Sequence, residues 1–346
     1  MIELNYTVHF NTPAFLGNAE QSAQWRTPPF KALLRQWWRV AWAAEQRFLV
    51  RVDEMRNAEA ELFGSAADDD RSKSGRSKVR IRLSKWQVGV MTRWEGLPPV
   101  SHPEVRFPVG SDLYLGYGPL KFENRMLGLK GNAAIQAGES ATLSLAYPAD
   151  TSVDRALGLL QLYGTLGGRS RNGWGSFALK PDEHNPATAP LVVPLRPWRD
   201  CLDRDWAHAI GSDEQGALIW QTVEHANWKA VLVQLAQLKI GLRTQFKFPH
   251  AQPDGQVHPR HWLSYPVTKH AVFAWGNNAR LPNSLRFKVR AVGHGRYVGV
   301  VFHVPHLPPV AFRPNTSQVQ TVWEKVHLFL DAQTHNNPAA LSRIAE

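Results

Sequence analysis

The stretch that decides the fold is residues 153–179, VDRALGLLQLYGTLGGRSRNGWGSFAL. We predict a helix over residues 153–163 and a short strand over residues 174–179. The residues between them are rich in glycine and carry Arg169 and Arg171. A helix that runs through such a segment into a strand indicates a mixed α+β domain.

The residues before this stretch complete the pattern of one domain. Residues 2–10 alternate apolar and polar side chains, which is the period of a half-buried strand. Thr27 can cap a helix with Pro28 in its first turn, and further strands are predicted at residues 79–83 and 141–147. The resulting order of strand, helix, strands, helix and strand is the split β-α-β plan of a ferredoxin-like domain with insertions, placed at residues 1–180.

The residues after it predict a second domain. Five prolines between residues 181 and 197 interrupt the pattern as a domain connection would. The elements predicted beyond them are a helix at 214–242, a His-rich irregular region at 250–270, strands at 285–292 and 297–304, and a helix at 318–330. These elements are compatible with a less regular α+β domain at residues 190–332, followed by a frayed tail at 333–346.

Composition narrows the class of partner. The 346 residues include 40 Lys and Arg against 29 Asp and Glu, a formal net charge of +11, while 43% of positions are hydrophobic. A chain that can bury a core and still expose excess positive charge favours a polyanion, with nucleic acid ahead of membrane. The single Cys201 excludes a disulfide framework and a zinc ribbon. We therefore expect a cytoplasmic protein, with neither a secretion signal nor a membrane span.

The glycine-rich segment is the clearest candidate for a binding site. Its glycines at 164, 167, 168, 173 and 175 allow positive φ angles and close backbone approach, and the two arginines place charge beside exposed N–H groups. That arrangement suits a phosphate chain. The alternative is a flexible connection with incidental arginines. Because the segment leads into a strand, and no P-loop motif occurs, we predict no nucleotide cofactor.

The first predicted helix carries a row of cations. Lys31, Arg35 and Arg39 follow at i, i+4 and i+8, a spacing at which like charges destabilise a helix. Removing them is therefore expected to raise helix stability slightly while weakening nucleic-acid binding. Trp37 is expected in the core, whereas Trp38 could either pack or stack on bases. The basic run at 71–94 is either a solvated face or part of a binding surface.

The remaining polar clusters do not predict catalysis. His258 and His261, with His250 and His270 nearby, could form a zinc site if the fold brought them together, but packing histidines are the simpler interpretation. No Gly-x-Ser-x-Gly elbow occurs, and the three aspartates at 68–70 lie in a Ser/Gly-rich loop without fixed geometry. We expect no catalytic residue, no metal and no cofactor.

Five motifs in order resemble a known family. They are NTPAFLG at 11–17, RTPPFKALLRQWWR at 26–39, ELFG at 61–64, YLGYG at 114–118 and the glycine-rich segment at 164–177. Together they resemble the RAMP superfamily of CRISPR-associated RNA-binding proteins, and within it the head-end subunit of the type III-B (Cmr) effector complex. The chain departs from the family pattern after Thr12 and Pro13, where the usual paired glycines are reduced to Gly17.

The resemblance implies an α+β fold of two tandem ferredoxin-like (RRM-like) domains. It also implies a non-catalytic subunit that contacts guide RNA near its 3′ end, target RNA, or both, in antiviral defence, beside other RAMP subunits. The RNA-binding residues predicted on this basis are Arg26, Lys31, Arg35, Arg39, Gly167, Gly168, Arg169, Ser170, Arg171, Asn172 and Gly173. Two alternatives remain open: a metal-independent endoribonuclease that matures guide RNA with a histidine base, and a basic scaffold for protein partners.

Overall fold

The computed structural model describes residues 1–65, 75–123, 126–186, 190–249, 255–333 and 340–345. The chain forms two compact units. Unit 1 comprises Met1–Glu95, Gly116–Pro194 and Lys288–Ala291, and unit 2 comprises Gly96–Leu115, Leu195–Phe287 and Val292–Glu346. The acidic cluster at 68–70 and the first cations of the basic run, Arg71 and Lys73, lie outside the described residues, as does His250.

The described residues contain both helices and strands, so the predicted α+β class is confirmed. The strands are β1 (Ile2–Phe10), β2 (Arg80–Leu83), β3 (Pro99–Val100), β4 (Val109–Gly110), β5 (Leu120–Glu123), β6 (Met126–Leu129), β7 (Ser140–Tyr147), β8 (Phe177–Pro181), β9 (Leu195–Pro197), β10 (Ile210–Asp213), β11 (Gly216–Ala217), β12 (Ile219–Thr222), β13 (Leu285–Gly293), β14 (Arg296–His303) and β15 (Leu341–Arg343). The α-helices are α1 (Thr27–Glu45), α2 (Val52–Phe63), α3 (Ser111–Gly116), α4 (Val153–Tyr163), α5 (Trp228–Thr244), α6 (Pro259–Leu263) and α7 (Thr316–Ala332).

The two larger sheets have the same strand order. One sheet has the order β2-β7-β1-β8 and the other β13-β14-β12-β15. If the four strands of each sheet are numbered in chain order, their order across the sheet is 2-3-1-4 in both cases. A helix follows the first strand and another follows the third, namely α1 and α4 in one case and α5 and α7 in the other. No helix in the described ranges is long and apolar enough to cross a membrane.

The core of unit 1 forms where the sequence pattern predicts. Alternate residues of β1 from Leu4 to Phe10 are buried, which confirms the predicted half-buried strand. α1 packs its apolar face towards α4, and the rings of Trp37 and Tyr163 lie 5.6 Å apart. Trp37 is 1% exposed, so its predicted core position is confirmed.

Three details of unit 1 differ from the expectation. Thr27 does not cap α1: the helix begins at Thr27, and Arg26 precedes it without a side-chain cap hydrogen bond. The predicted strand at 174–179 begins only at Phe177, because the residues before it bond to the segment after β1 (described below). α2, with Leu62 and Phe63 buried, was not predicted, since its charged surface weakens the apolar period.

Unit 2 differs more. The predicted helix at 214–242 was wrong in its first half, where β11 and β12 lie, because residues 219–222 pair with both β14 and β15. α5 starts after Asn227, whose side chain accepts a hydrogen bond from the Ala230 N–H at 2.9 Å. The predicted tail contains β15, in which Leu341 is buried. Residues 96–115 belong to unit 2, where Glu104 pairs with Arg260 through a 2.9 Å hydrogen bond.

Candidate nucleic-acid interface

The glycine-rich segment is bonded to the residues that follow β1. The Gly175 N–H donates to the Pro13 carbonyl at 2.8 Å, and the Gly168 N–H donates to the Phe15 carbonyl at 2.9 Å. Within the segment, the Leu166 N–H donates to the Gly175 carbonyl at 2.9 Å. These bonds join two of the motifs quoted from the sequence into one loop structure.

Two buried hydroxyl groups tie the same segments together. Thr12 Oγ1 donates to the Gly173 carbonyl at 2.8 Å and accepts the Ser176 N–H at 3.0 Å. Ser176 Oγ donates to the same carbonyl at 2.8 Å and accepts the Val289 N–H at 2.9 Å. This network makes the loop a built structure, which argues against the alternative of a flexible connection.

The C-terminal end of α4, just before the loop, is also fixed by cations. Lys288 Nζ donates to the Gln161 carbonyl at 2.6 Å, and Arg290 Nε donates to the Leu162 carbonyl at 3.0 Å. Carbonyl groups in the last turn of a helix have no helical partner, and cations are favourable there. Sequence analysis missed both residues, because their partners lie about 130 positions away, beyond any local pattern.

The glycines have more than one function in the loop. Gly167, Gly173 and Gly175 have φ angles of +91°, +89° and +62°, which confirms the predicted positive φ at these positions. Gly164 does not have the predicted positive φ, since its φ is −68°. It is needed for close approach instead, because an added Cβ would lie 2.3 Å from the Leu160 carbonyl oxygen.

The expected row of exposed N–H groups is contradicted by the hydrogen bonds within the loop. The Asn172 N–H donates to the Arg169 carbonyl at 2.9 Å, and the Gly173 N–H donates to the Ser170 carbonyl at 3.1 Å. The Ser170 N–H points at the Gly167 carbonyl, 3.4 Å away. Because these main-chain donors are used inside the loop, it does not cradle a phosphate with them. At these positions, phosphate contacts fall to side chains.

Arg169 is the side chain best placed for that purpose. It is exposed and has a φ of +57°, a left-handed conformation that costs a non-glycine residue about 1–2 kcal/mol. Its Nε donates to the Tyr117 carbonyl at 2.6 Å, which directs the guanidinium group. Partial desolvation lowers the pKa of Arg169 and of the half-buried Arg171, yet an arginine keeps its charge at neutral pH. A cation retained at a strained position is an indication of function.

The row of cations on α1 has a partner that the sequence analysis missed. Glu59 of α2 is 4% exposed and accepts hydrogen bonds from Arg35 Nε at 2.8 Å and from Arg39 Nε at 2.9 Å. The buried carboxylate explains why like charges are tolerated at this spacing. Burial, followed by the charge of Arg35, lowers the pKa of Lys31. Three cations less one carboxylate leave a net charge of +2 on this face.

Two other predicted residues have structural contacts. Arg26 donates through Nη2 to the Gly17 carbonyl and so braces the loop after β1. Trp38 is 2% exposed and donates through Nε1 to the Thr151 carbonyl at 2.8 Å, so stacking of bases on Trp38 is ruled out in this conformation. Exposed rings occur instead at Tyr117, whose carbonyl accepts the hydrogen bond from Arg169, and at Phe122 in β5; the sequence analysis singled out neither ring.

The His-rich region packs on itself. The Nδ1 of His261 accepts the His258 N–H at 2.9 Å, its Nε2 lies 3.0 Å from the His270 carbonyl, and the His270 ring stacks on Phe248 with centroids 3.6 Å apart. Burial lowers the pKa of His261 to about 4, so its ring is neutral at physiological pH. Among the described residues, no group of three or more His, Cys, Asp or Glu side chains could hold a metal ion.

Comparison with known proteins gives structural likenesses only. No protein-family model and no curated protein matches the chain. The similar solved structures include a Cmr1 protein and a chain of a type III-B Cmr-beta complex. One is Cmr1 from Pyrococcus furiosus in its apo form, at 16% identity and a TM-score of 0.45 over 94% of this chain and 97% of that chain. Another is a chain of the type III-B Cmr-beta complex bound to cognate target RNA, at 11% identity and a TM-score of 0.46 over 95% and 99%.

Proposed function

We propose that this chain is a non-catalytic RNA-binding subunit of a type III-B CRISPR RNA-guided effector complex. The observation that carries the proposal is the glycine-rich loop, which is bonded to the end of β1 and holds the exposed Arg169 in a strained conformation. The five ordered sequence motifs support the family, and this loop joins two of them in space. The complex would act in the cytoplasm in antiviral defence.

The fold we propose is a pair of ferredoxin-like (RAMP) domains in tandem. The strand order 2-3-1-4 with a helix after the first and third strands is the split β-α-β plan. Both larger sheets have this order, one built from β1, β2, β7 and β8 and the other from β12 to β15. The insertions are α2 and the β5–β6 hairpin in unit 1, and the residues between α5 and β13 in unit 2.

The ligand we propose is single-stranded or guide-paired RNA held mainly by its backbone. The net charge of +11 and the cations at Arg169, Arg171 and along α1 favour phosphate contacts, which position a nucleic acid without reading its bases. Guide RNA near its 3′ end and target RNA both present such a backbone. Neighbouring RAMP subunits would complete the particle.

The non-catalytic part of the proposal is supported by how the buried histidines are used. His303 Nδ1 lies 2.9 Å from His327 Nε2, and His303 Nε2 lies 2.9 Å from Ser284 Oγ, so both nitrogens of His303 have partners inside the fold. Burial lowers the pKa of both histidines, that of His327 to about 3, far from the value that suits a general base at neutral pH. We expect the purified chain not to cleave repeat RNA, with or without divalent metal.

A salt titration tests the RNA proposal. A labelled single-stranded RNA should bind the purified chain, and the logarithm of the binding constant should fall with the logarithm of salt concentration by roughly 0.7 for each phosphate contact. Changing the base sequence at constant length should have little effect. A flat salt response would contradict the proposal and favour a scaffold that contacts proteins, and cleavage in the same mixtures would favour the endoribonuclease.

A further inference from the structure

Large apolar side chains are exposed beside the glycine-rich loop. Tyr117 is 67% exposed, and the β5–β6 hairpin that starts three residues later exposes Phe122 by 61% on one face and Met126 by 72% on the other. Single exposed apolar residues are normal in proteins, whereas a group of them marks a binding surface. The question is therefore whether these rings share one surface.

The register of the hairpin places Phe122 on a defined face. Phe122 pairs with Leu127, and Leu120 pairs with Leu129. Residues two apart on a strand point to the same face, so these four side chains share one face, with Phe122 about 7 Å farther along the strand than Leu120. Leu129 lines a cavity, so the face that bears Phe122 continues from that cavity.

The cavity that Leu129 lines is small. Its volume is about 200 Å³, below the ~300–1,000 Å³ usual for drug-sized ligands and cofactors. Phe15, Pro119 and Leu129 give it apolar walls, and the exposed Lys130 supplies a cation at the same site. An apolar recess with a cation beside it suits a base whose flanking phosphate stays outside.

Arg169 lies next to Gly118, a residue that lines the same cavity. Its Nε binds the Tyr117 carbonyl at 2.6 Å, and a Cβ added to Gly118, which lines the cavity, would lie 3.7 Å from Arg169 Nη2. A Cβ added to Gly168 would lie 2.9 Å from the Pro119 ring. The glycine-rich loop, the cavity and the main chain of Tyr117 are therefore neighbours in unit 1.

We propose that Tyr117 and Phe122 stack on successive bases of single-stranded RNA, while Arg169 and Lys130 bind the phosphates beside them. This inference rests on the proposed function, to which it adds how the RNA-binding site holds the bases. Aromatic rings accept any base, because every base has a flat π face, so stacking adds affinity without sequence preference. The two cations favour RNA over an apolar protein partner, since a nucleic-acid backbone can bring a phosphate to each of them and an apolar protein surface cannot.

Two RNA probes separate stacking from phosphate binding. One is a short labelled single-stranded RNA, and the other has the same backbone with abasic nucleotides in place of the bases. The double variant Y117A/F122A should bind the intact RNA more weakly, by roughly five- to 150-fold for each stacked base lost, and should bind the abasic RNA as the wild type does. The variant Y117L/F122L, which keeps apolar bulk without a π face, should also weaken binding of the intact RNA.

The matched control is Phe107→Ala, which removes an aromatic side chain of 72% exposure from unit 2 and should leave both affinities unchanged. Equal losses for the two RNAs, or no loss with Y117A/F122A, would overturn the stacking inference alone. A variant that binds RNA normally but no longer joins the effector particle would also overturn it, in favour of a protein contact. If the wild type binds neither RNA at low salt, the proposed function fails together with the inference.

Discussion

Replacing Glu59 by Gln should lower the stability of the protein and raise its affinity for RNA. The carboxylate accepts hydrogen bonds from Arg35 Nε at 2.8 Å, Arg39 Nε at 2.9 Å and Arg39 Nη2 at 2.9 Å. Glutamine keeps the volume of the side chain but removes the charge that attracts both arginines. Those arginines would then be free to bind phosphate.

The size of the stability effect follows from the exposure of the three side chains. The carboxylate of Glu59 is 5% exposed, but the side chains of Arg35 and Arg39 are 40% and 38% exposed, so solvent screens both ion pairs. We assign each pair about 1 kcal/mol, at the upper end for exposed pairs. The uncovered repulsion along α1 adds about 0.2–0.5 kcal/mol per pair of like charges. The free energy of unfolding should fall by about 2–3 kcal/mol.

Urea denaturation measures the stability, and the slope of RNA affinity against salt counts the phosphate contacts. With E59Q the slope should steepen by up to about 1.4, because two more cations can each release a counterion. Glu61→Gln is the matched control, since it lies on the same helix with 71% exposure and should change stability by less than about 0.5 kcal/mol. Unchanged stability in E59Q, or weaker RNA binding by the folded variant, would refute the reasoning.

With Glu59 in place, removing cations from α1 should lower stability, which is the opposite of the expectation from their spacing. The variant R35A/R39A would leave the buried carboxylate of Glu59 without these two partners, so the free energy of unfolding of the variant at pH 7 should fall. That outcome follows from the position of Glu59 on α2, which the spacing of residues along α1 does not reveal. Lys31→Ala is the control, because among the described residues Lys31 does not hydrogen-bond to Glu59. Its stability should stay close to that of the wild type.

Three further predictions concern the loop and the buried histidines. R169A/R171A should reduce the salt slope of RNA binding by about 1.4, for two lost phosphate contacts, with circular dichroism unchanged; an unchanged slope would exclude these arginines from the interface. Gly175→Ala should destabilise the loop and weaken RNA binding, because Gly175 has a φ of +62° and the added methyl group would lie 1.8 Å from the Leu166 carbonyl oxygen. A melting temperature equal to that of the wild type would contradict this prediction. Burial lowers the pKa values of His303 and His327, so below pH 6.5 the unfolded chain binds more protons than the folded chain. The free energy of unfolding should therefore fall, as the pH is lowered from 6.5 to 4, by up to about 1.4 kcal/mol per pH unit for each histidine. Urea midpoints that are equal at pH 7 and pH 5 would refute this prediction.

What the sequence predicts well is what depends on local periodicity. The alternation in β1 and the helix Val153–Tyr163 were predicted with their observed bounds, because burial of one face imposes a period of two or of 3.6 residues. The same reasoning failed over residues 214–227, where a short apolar run suits either period. There the choice is made by pairing with β14 and β15, which are distant in the chain.

The site shows the same division. Arg169 and the glycines could be singled out, because charge and backbone freedom are properties of single residues. The pairing of Glu59 with two arginines could not, since it joins α1 to α2 across about 20 positions. Neither could the exposure of Tyr117, because an aromatic side chain in a sequence is more often part of a core.

The glycine-rich loop illustrates why composition alone misassigns chemistry. Its glycines suggested a main-chain cradle for phosphate, but the N–H groups of Asn172 and Gly173 bond within the loop, and those of Gly168 and Gly175 bond to the segment after β1. The glycines therefore give the loop its shape, and at these positions phosphate contacts fall to side chains. A site of this kind gains or loses phosphate contacts through single substitutions such as Arg169→Ala, whereas a cradle of main-chain amides would tolerate the same change.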